Sequence, residues 1–192
     1  MMKRNLSFVT LILSIIGLIP YASAQTTDKR IDEIKRLYEE TNSLVAASEK
    51  EGEYTSTYTV ELAVNKVGAQ YPAVGPFSHI AKFYYTFGDR EKNPYPDRLM
   101  KINVSTRRSA AIVNSEFLYN ASGQLVFAYV STTGDETRET RLYFAAGQLI
   151  KMLNNEKDVN VKLRSVLETA QAVKAESTRL TGIFKASLKE AF

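Results

Sequence analysis

Leu118-Tyr119-Asn120-Ala121-Ser122-Gly123-Gln124-Leu125-Val126 lines up with Leu142-Tyr143-Phe144-Ala145-Ala146-Gly147-Gln148-Leu149-Ile150. Each copy puts an apolar–aromatic pair ahead of a glycine, with a leucine two residues after that glycine. Glycine supplies the positive φ that a tight hairpin turn needs, which explains its fixed place. A looser copy, Phe83-Tyr84-Tyr85-Thr86-Phe87-Gly88, reaches Leu99-Met100 through a longer turn. Hairpins repeated in this way predict an antiparallel β-meander.

Over residues 83–153 these hairpins resemble the Tyr-x-x-x-Gly-x-Leu hairpins of MORN-like repeat proteins and of uncharacterised exported bacterial α+β proteins. The resemblance implies a meander used as a scaffold or binding surface. It brings no catalytic residues with it, and the flanking helices depart from a pure repeat array.

The alignment also predicts faces. Phe83, Leu118 and Leu142 share one position, and Tyr84, Tyr119 and Tyr143 share the next. Neighbouring strand residues point to opposite sides, so the tyrosines are expected to stand together, away from the helices. On the return strands Met100, Val126 and Ile150 read as core-facing. Leu99, Leu125 and Leu149, with Lys101, Phe127 and Lys151, then join the tyrosines. So apolar a face needs a cover: a curl of the sheet, a loop or a ligand. Tyr84, Tyr119, Tyr143, Lys101 and Lys151 are the candidate ligand-binding residues.

Outward from the hairpins, alternation from Tyr54 to Val64 predicts one more strand, after a start near residue 53. Residues 67–77, with Gly75-Pro76, read as a loop. Further strands fall at about 78–87, 98–105, 109–119, 124–131, 137–145 and 148–153, a sheet of about six or seven strands. Ile31, Ile34, Leu37, Tyr38, Leu44 and Val45 recur at helical spacing and predict a helix over 28–50. Leu163, Val166, Leu167, Ala170, Val173, Leu180, Ile183, Phe184 and Leu188 predict another over 161–190, with Asn160 as its N-cap. Such a helix runs about 45 Å against about 30 Å for a nine-residue strand, so it overhangs the sheet or breaks at Gly182. The expected fold is α+β, with both helices packed on one face of the meander. The overhang makes the C-terminal helix a candidate for pairing with another chain.

At the N-terminus, Lys3 and Arg4 precede the apolar run Leu6–Ile19, followed by Ala22-Ser23-Ala24. This is the three-part pattern of a cleaved secretory signal over residues 1–24. A single α+β domain, 25–192, is expected to follow. Loss of Lys3 and Arg4 lowers the formal charge of +4 to +2, a near-neutral chain that argues against nucleic acid as partner. No second run is apolar enough to span a bilayer. With no Cys there is no disulfide, thiolate metal site or lipidated N-terminal Cys, which leaves a periplasmic or secreted protein.

Chemistry-bearing residues are sparse. His79 adjoins Ser78, but strand neighbours point apart, so they form no dyad. Asp89, Glu91 and Asp97, and then Asp135, Glu136 and Glu139, sit in turns where carboxylates are ordinary turn formers. Two of them held about 5–10 Å apart would suit glycoside hydrolysis. No cofactor or metal motif is present. The expectation is an exported, non-catalytic binding or interaction protein of the bacterial envelope. The alternatives are a carboxylate hydrolase of envelope polysaccharide and an assembly subunit joined through its last helix.

Overall fold

Nine antiparallel strands pair almost entirely in chain order in the computed structural model, which describes residues 19–50, 55–134 and 136–191. They are β1 (Tyr58–Val64), β2 (Gln70–Tyr71), β3 (Gly75–Phe87), β4 (Pro96–Arg108), β5 (Ala111–Tyr119), β6 (Leu125–Thr133), β7 (Arg138–Ala145), β8 (Gln148–Asn154) and β9 (Lys157–Asp158). The sheet order is β1-β3-β4-β5-β6-β7-β8-β9, with β2 paired to the start of β3. The strand count exceeds the six or seven expected because β2 and β9 are two-residue pairings, too short for a periodic signal. Gly75 and Pro76, read as loop, open β3, where Gly75 takes a φ of 76°. The apolar run Leu6–Ile19 lies outside the described residues except for its last member. Among the described residues no helix is long and apolar enough to cross a membrane.

The repeat is present, but its phase differs from the glycine-anchored alignment. All three hairpins carry a β-bulge at one equivalent place. Tyr84 pairs with Lys101 and Tyr85 with Leu99; Leu118 pairs with Phe127 and Tyr119 with Leu125; Tyr143 pairs with Lys151 and Phe144 with Leu149. Met100, Val126 and Ile150 are therefore the extra residues. Between the equivalent pairs Tyr119–Leu125 and Phe144–Leu149, the β5–β6 connection holds five residues and the β7–β8 connection four. Asn120 organises the longer turn: its Oδ1 accepts from the backbone N–H of Ser122 (3.1 Å) and of Gln124 (2.9 Å). The shorter turn is closed by Ala146 and Gly147, both at positive φ. One extra residue moves every upstream side chain to the other face. Tyr119 is thus equivalent to Tyr85 and Phe144, and Leu118 to Tyr84 and Tyr143.

The two helices lie on opposite faces, which corrects the expectation of one shared face. Helix α1 (Ile19–Ser48) sets Ile31 and Ile34 against Leu118, Phe127 and Tyr143. Helix α2 (Arg164–Ala191) sets Val166, Ala170, Leu180 and Phe184 against Phe83, Ile102, Phe117, Leu142 and Met152. Adjacent residues such as Phe117 and Leu118 are both buried and point apart, so each face of the sheet needs its own cover. The cover on the tyrosine side is α1, in place of the sheet curl, loop or ligand expected.

Both helices cross the strands instead of following them. Along α2, Ser177 meets Tyr119 of β5, and Phe184 meets Phe83 of β3. Seven helical residues advance about 10.5 Å and two strands about 9.6 Å, so the repeats match. This removes the reason for an overhang or a break: α2 runs unbroken through Gly182. Its start is later than expected because Asn160 closes a turn first, its Oδ1 accepting from Lys162 N–H at 3.0 Å. Leu167, counted on the apolar stripe, is 46% exposed, while Ser177 takes a buried place on it. The seven backbone steps from Ala170 to Ser177 bring two turns into line, whereas Leu167 falls to the side.

Candidate functional site

The α1 face of the sheet holds a buried polar network beside an open aromatic cleft. Lys101, only 3% exposed, sits mid-sheet on β4. Its Nζ pairs with Glu116 Oε2 of β5 at 2.7 Å and donates to Asn42 Oδ1 of α1 at 2.6 Å. The ammonium also lies 4.9 Å from the centre of the Tyr38 ring. The Tyr38 hydroxyl donates to the same Glu116 carboxylate at 2.6 Å. Burial first, then that hydrogen bond, pushes the Tyr38 phenol up to about 12. A buried charge persists when it is paired and hydrogen-bonded, and Lys101 has both kinds of partner.

Just past the end of α1, Glu49 accepts from Lys82 Nζ and from the Tyr84 hydroxyl, each at 2.7 Å. The Lys82 hydrogen bond, then that of Tyr84, lowers the Glu49 carboxyl. Burial, reinforced by Glu49, raises the Tyr84 phenol. Both phenols therefore stay protonated and donating at neutral pH.

The cleft, of about 370 Å³, opens between α1 and strands β6 and β7. Its floor comprises two directly opposed pairs, Phe127 with Tyr143 and Tyr129 with Arg141. Ile34 and Tyr38 of α1 form the roof, with Lys35 and Glu39 at the rim. The Phe127 ring packs at 5.1 Å from Tyr38 and at 5.1 Å from Tyr143, both inclined, which fixes the aromatic walls. The Arg141 guanidinium lies 5.6 Å from the Tyr129 ring centre and is braced by Glu139 (3.1 Å) and Glu156 (3.7 Å). Among the described residues, neither Tyr129 nor Tyr143 uses its hydroxyl in a hydrogen bond.

The expected tyrosine row is not formed. Tyr84, Tyr119 and Tyr143 are 2%, 5% and 6% exposed. Tyr84 and Tyr143 share the α1 face, but Tyr119 points to α2 and meets the Ser177 hydroxyl at 2.7 Å. The one-residue difference in turn length accounts for the separation. Lys101 is sealed in the network, and Lys151 pairs with Asp158 at 3.1 Å. Of the five candidates only Tyr143 lines the cleft. Tyr38, Glu116, Tyr129 and Arg141 escaped the sequence reading. A usable signal existed for Glu116, a lone carboxylate in the strand register of Lys101 and Asn103. For Tyr129 and Arg141 there was none, because the cleft needs α1 on that face.

His79 Nδ1 is hydrogen-bonded to Thr106 Oγ1 at 2.8 Å, as donor or acceptor according to the ring tautomer, and burial, then Arg179, lowers its pKa. The turn carboxylates do not converge. Asp89 and Asp97 lie at the β3–β4 end, whereas Glu136 and Glu139 lie at the β6–β7 end, about 30 Å away across a nine-residue strand. Asp135 is outside the described residues. No family model, curated protein or solved structure matches the chain, so the site is interpreted from its own chemistry.

Proposed function

We propose that the chain is an exported, non-catalytic binding protein of the bacterial cell envelope, holding a small ligand between α1 and β6–β7. The observation that carries this reading is the cleft floored by Tyr129, Arg141, Phe127 and Tyr143. Its walls are apolar and its free hydrogen-bonding groups are few and peripheral, the usual make-up of a small-molecule site. The ligand it suits is compact and flat, with an apolar face for the rings and acceptors for two tyrosine hydroxyls and Lys35. Phenols that stay protonated and carboxylates at opposite ends of the sheet favour holding over turnover. The signal pattern at residues 1–24 supports export, with a mature N-terminus at Gln25.

Native mass spectrometry of the protein recovered from an envelope fraction tests both parts. The expected species begins at Gln25 and carries a small-molecule adduct that Tyr129→Ala loses without unfolding. A species retaining Met1 contradicts the export reading. The absence of an adduct, or its equal retention in Tyr129→Ala, contradicts the binding reading.

A further inference from the structure

The connection from β1 to β3 displays apolar side chains that the fold does not use. Val67 is 91% exposed, and Val64, Tyr71 and Val74 are also exposed. The segment is nevertheless held in one shape. Asn65 Nδ2 donates to the carbonyls of Ala69 (2.8 Å) and Phe77 (2.6 Å), and its Oδ1 accepts from Ala69 N–H at 3.2 Å. Gly68 N–H closes onto the Asn65 carbonyl at 2.8 Å, and β2 pairs back onto β3. Ala73 is held at a φ of 62°, a left-handed conformation that is strained for a residue with a Cβ. A loop that spends order and strain on showing valines to water has a contact to make.

The electrostatics around it select the contact. Tyr71 stacks on Phe77 at 5.4 Å, and the Arg108 guanidinium lies 5.9 Å from the Phe77 ring centre. Arg107 and Arg108, at the end of β4, have no carboxylate partner among the described residues. Neither segment 62–80 nor segment 98–115 contains Asp or Glu. Lys66 adds a third cation, paired with Glu61 behind the loop. Glu136, in the turn at the same end of the sheet, is paired with Arg138, and Glu176 of α2, which acts on His79 together with Arg108, is paired with Arg179.

We propose that loop 65–74 docks on an anionic lipid bilayer, Val67, Tyr71 and Val74 entering the headgroup layer while Arg107 and Arg108 face lipid phosphates. An exposed apolar tip backed by guanidinium groups that have no carboxylate partner among the described residues matches an interface that is apolar below and negative at its surface. Tyrosine, with an apolar ring and a polar tip, suits that depth. This contact is independent of the aromatic cleft.

The chain contains no Trp, so Val67→Trp supplies a single fluorescent reporter at a position where the side chain packs against nothing. The full chain is titrated with vesicles of phosphatidylcholine, with and without one-third phosphatidylglycerol. The emission maximum should move to shorter wavelength with the anionic vesicles and stay with pure phosphatidylcholine. Because the reporter reads the loop, attachment of the chain elsewhere does not register. A second reporter, Tyr95→Trp, lies at the opposite end of the sheet and should keep its emission unchanged throughout. Adding Arg107→Gln and Arg108→Gln should raise the lipid needed roughly 30-fold, two surface cations at the usual strength. An unchanged emission with anionic vesicles overturns the proposal, as does an equal shift with neutral ones; the loop would then serve a protein partner instead.

Discussion

Replacing Glu116 with Gln tests the buried network at its hinge. The substitution keeps the shape of the side chain and an oxygen for the Tyr38 hydroxyl, but leaves the Lys101 ammonium without its counter-ion. Removing one partner of a buried pair costs roughly 3–5 kcal/mol. Here Asn42 Oδ1 and the Tyr38 ring still face the ammonium, and Glu116 is itself partly exposed, so the lower end applies, about 3 kcal/mol. For a chain of this size that is a fall in melting temperature of roughly 6–12 °C. Lys101→Met in the Glu116→Gln background removes the stranded charge and should recover most of the loss. Urea unfolding of the two single variants and the double variant gives the coupling directly. A Glu116→Gln protein within about 0.5 kcal/mol of wild type, or losses that simply add, would refute the network as drawn.

Three other outcomes follow from the packing. Phe184→Ala, which empties a site between Phe83 and Tyr85, should cost roughly 3–5 kcal/mol, while Leu167→Asp should cost under about 1 kcal/mol; similar melts for the two would reverse the face of α2. Gly182→Ala should stabilise by up to about 1 kcal/mol, since an added Cβ meets nothing within 4 Å and α2 is continuous there. Tyr38 titrates near 12 when folded and near 10 when unfolded, so its protonated form favours the fold fully below pH 10, and that contribution is lost as pH rises towards 12. Melting temperature should therefore fall over that interval, and less steeply in Tyr38→Phe.

Most of the architecture was legible because the sheet is a meander: β3 to β8 each announce themselves by alternation, and each hairpin by its turn. What escaped lay in counts of one. The extra residue in the β5–β6 turn put Tyr119 on the wrong face, although Asn120, a turn-building side chain opposite the apolar Phe144 in the aligned copy, marks the difference. Placing both helices on one face followed from seeking the second face's cover in a curl of the sheet, a loop or a ligand, when Leu118, Phe127 and Tyr143 pack under a helix. Comparing α2 with strand length misled in the same way, since the helix is measured against strand spacing. The cleft was out of reach because its roof and floor are about a hundred residues apart and meet only once α1 is docked.

The cleft itself is tested most directly by fluorine NMR of the mature protein labelled with 3-fluorotyrosine, its ten resonances (the 11 tyrosines of the full sequence less Tyr21) assigned by Tyr→Phe variants. Titrated with the small-molecule fraction of a bacterial envelope extract, the signals of Tyr129 and Tyr143 should shift together and saturably. The signal of Tyr119, on the α2 face, should stay fixed. Shifts at Tyr119 without any at Tyr129, or no saturable shift at either cleft tyrosine, would contradict a ligand site between α1 and β6–β7.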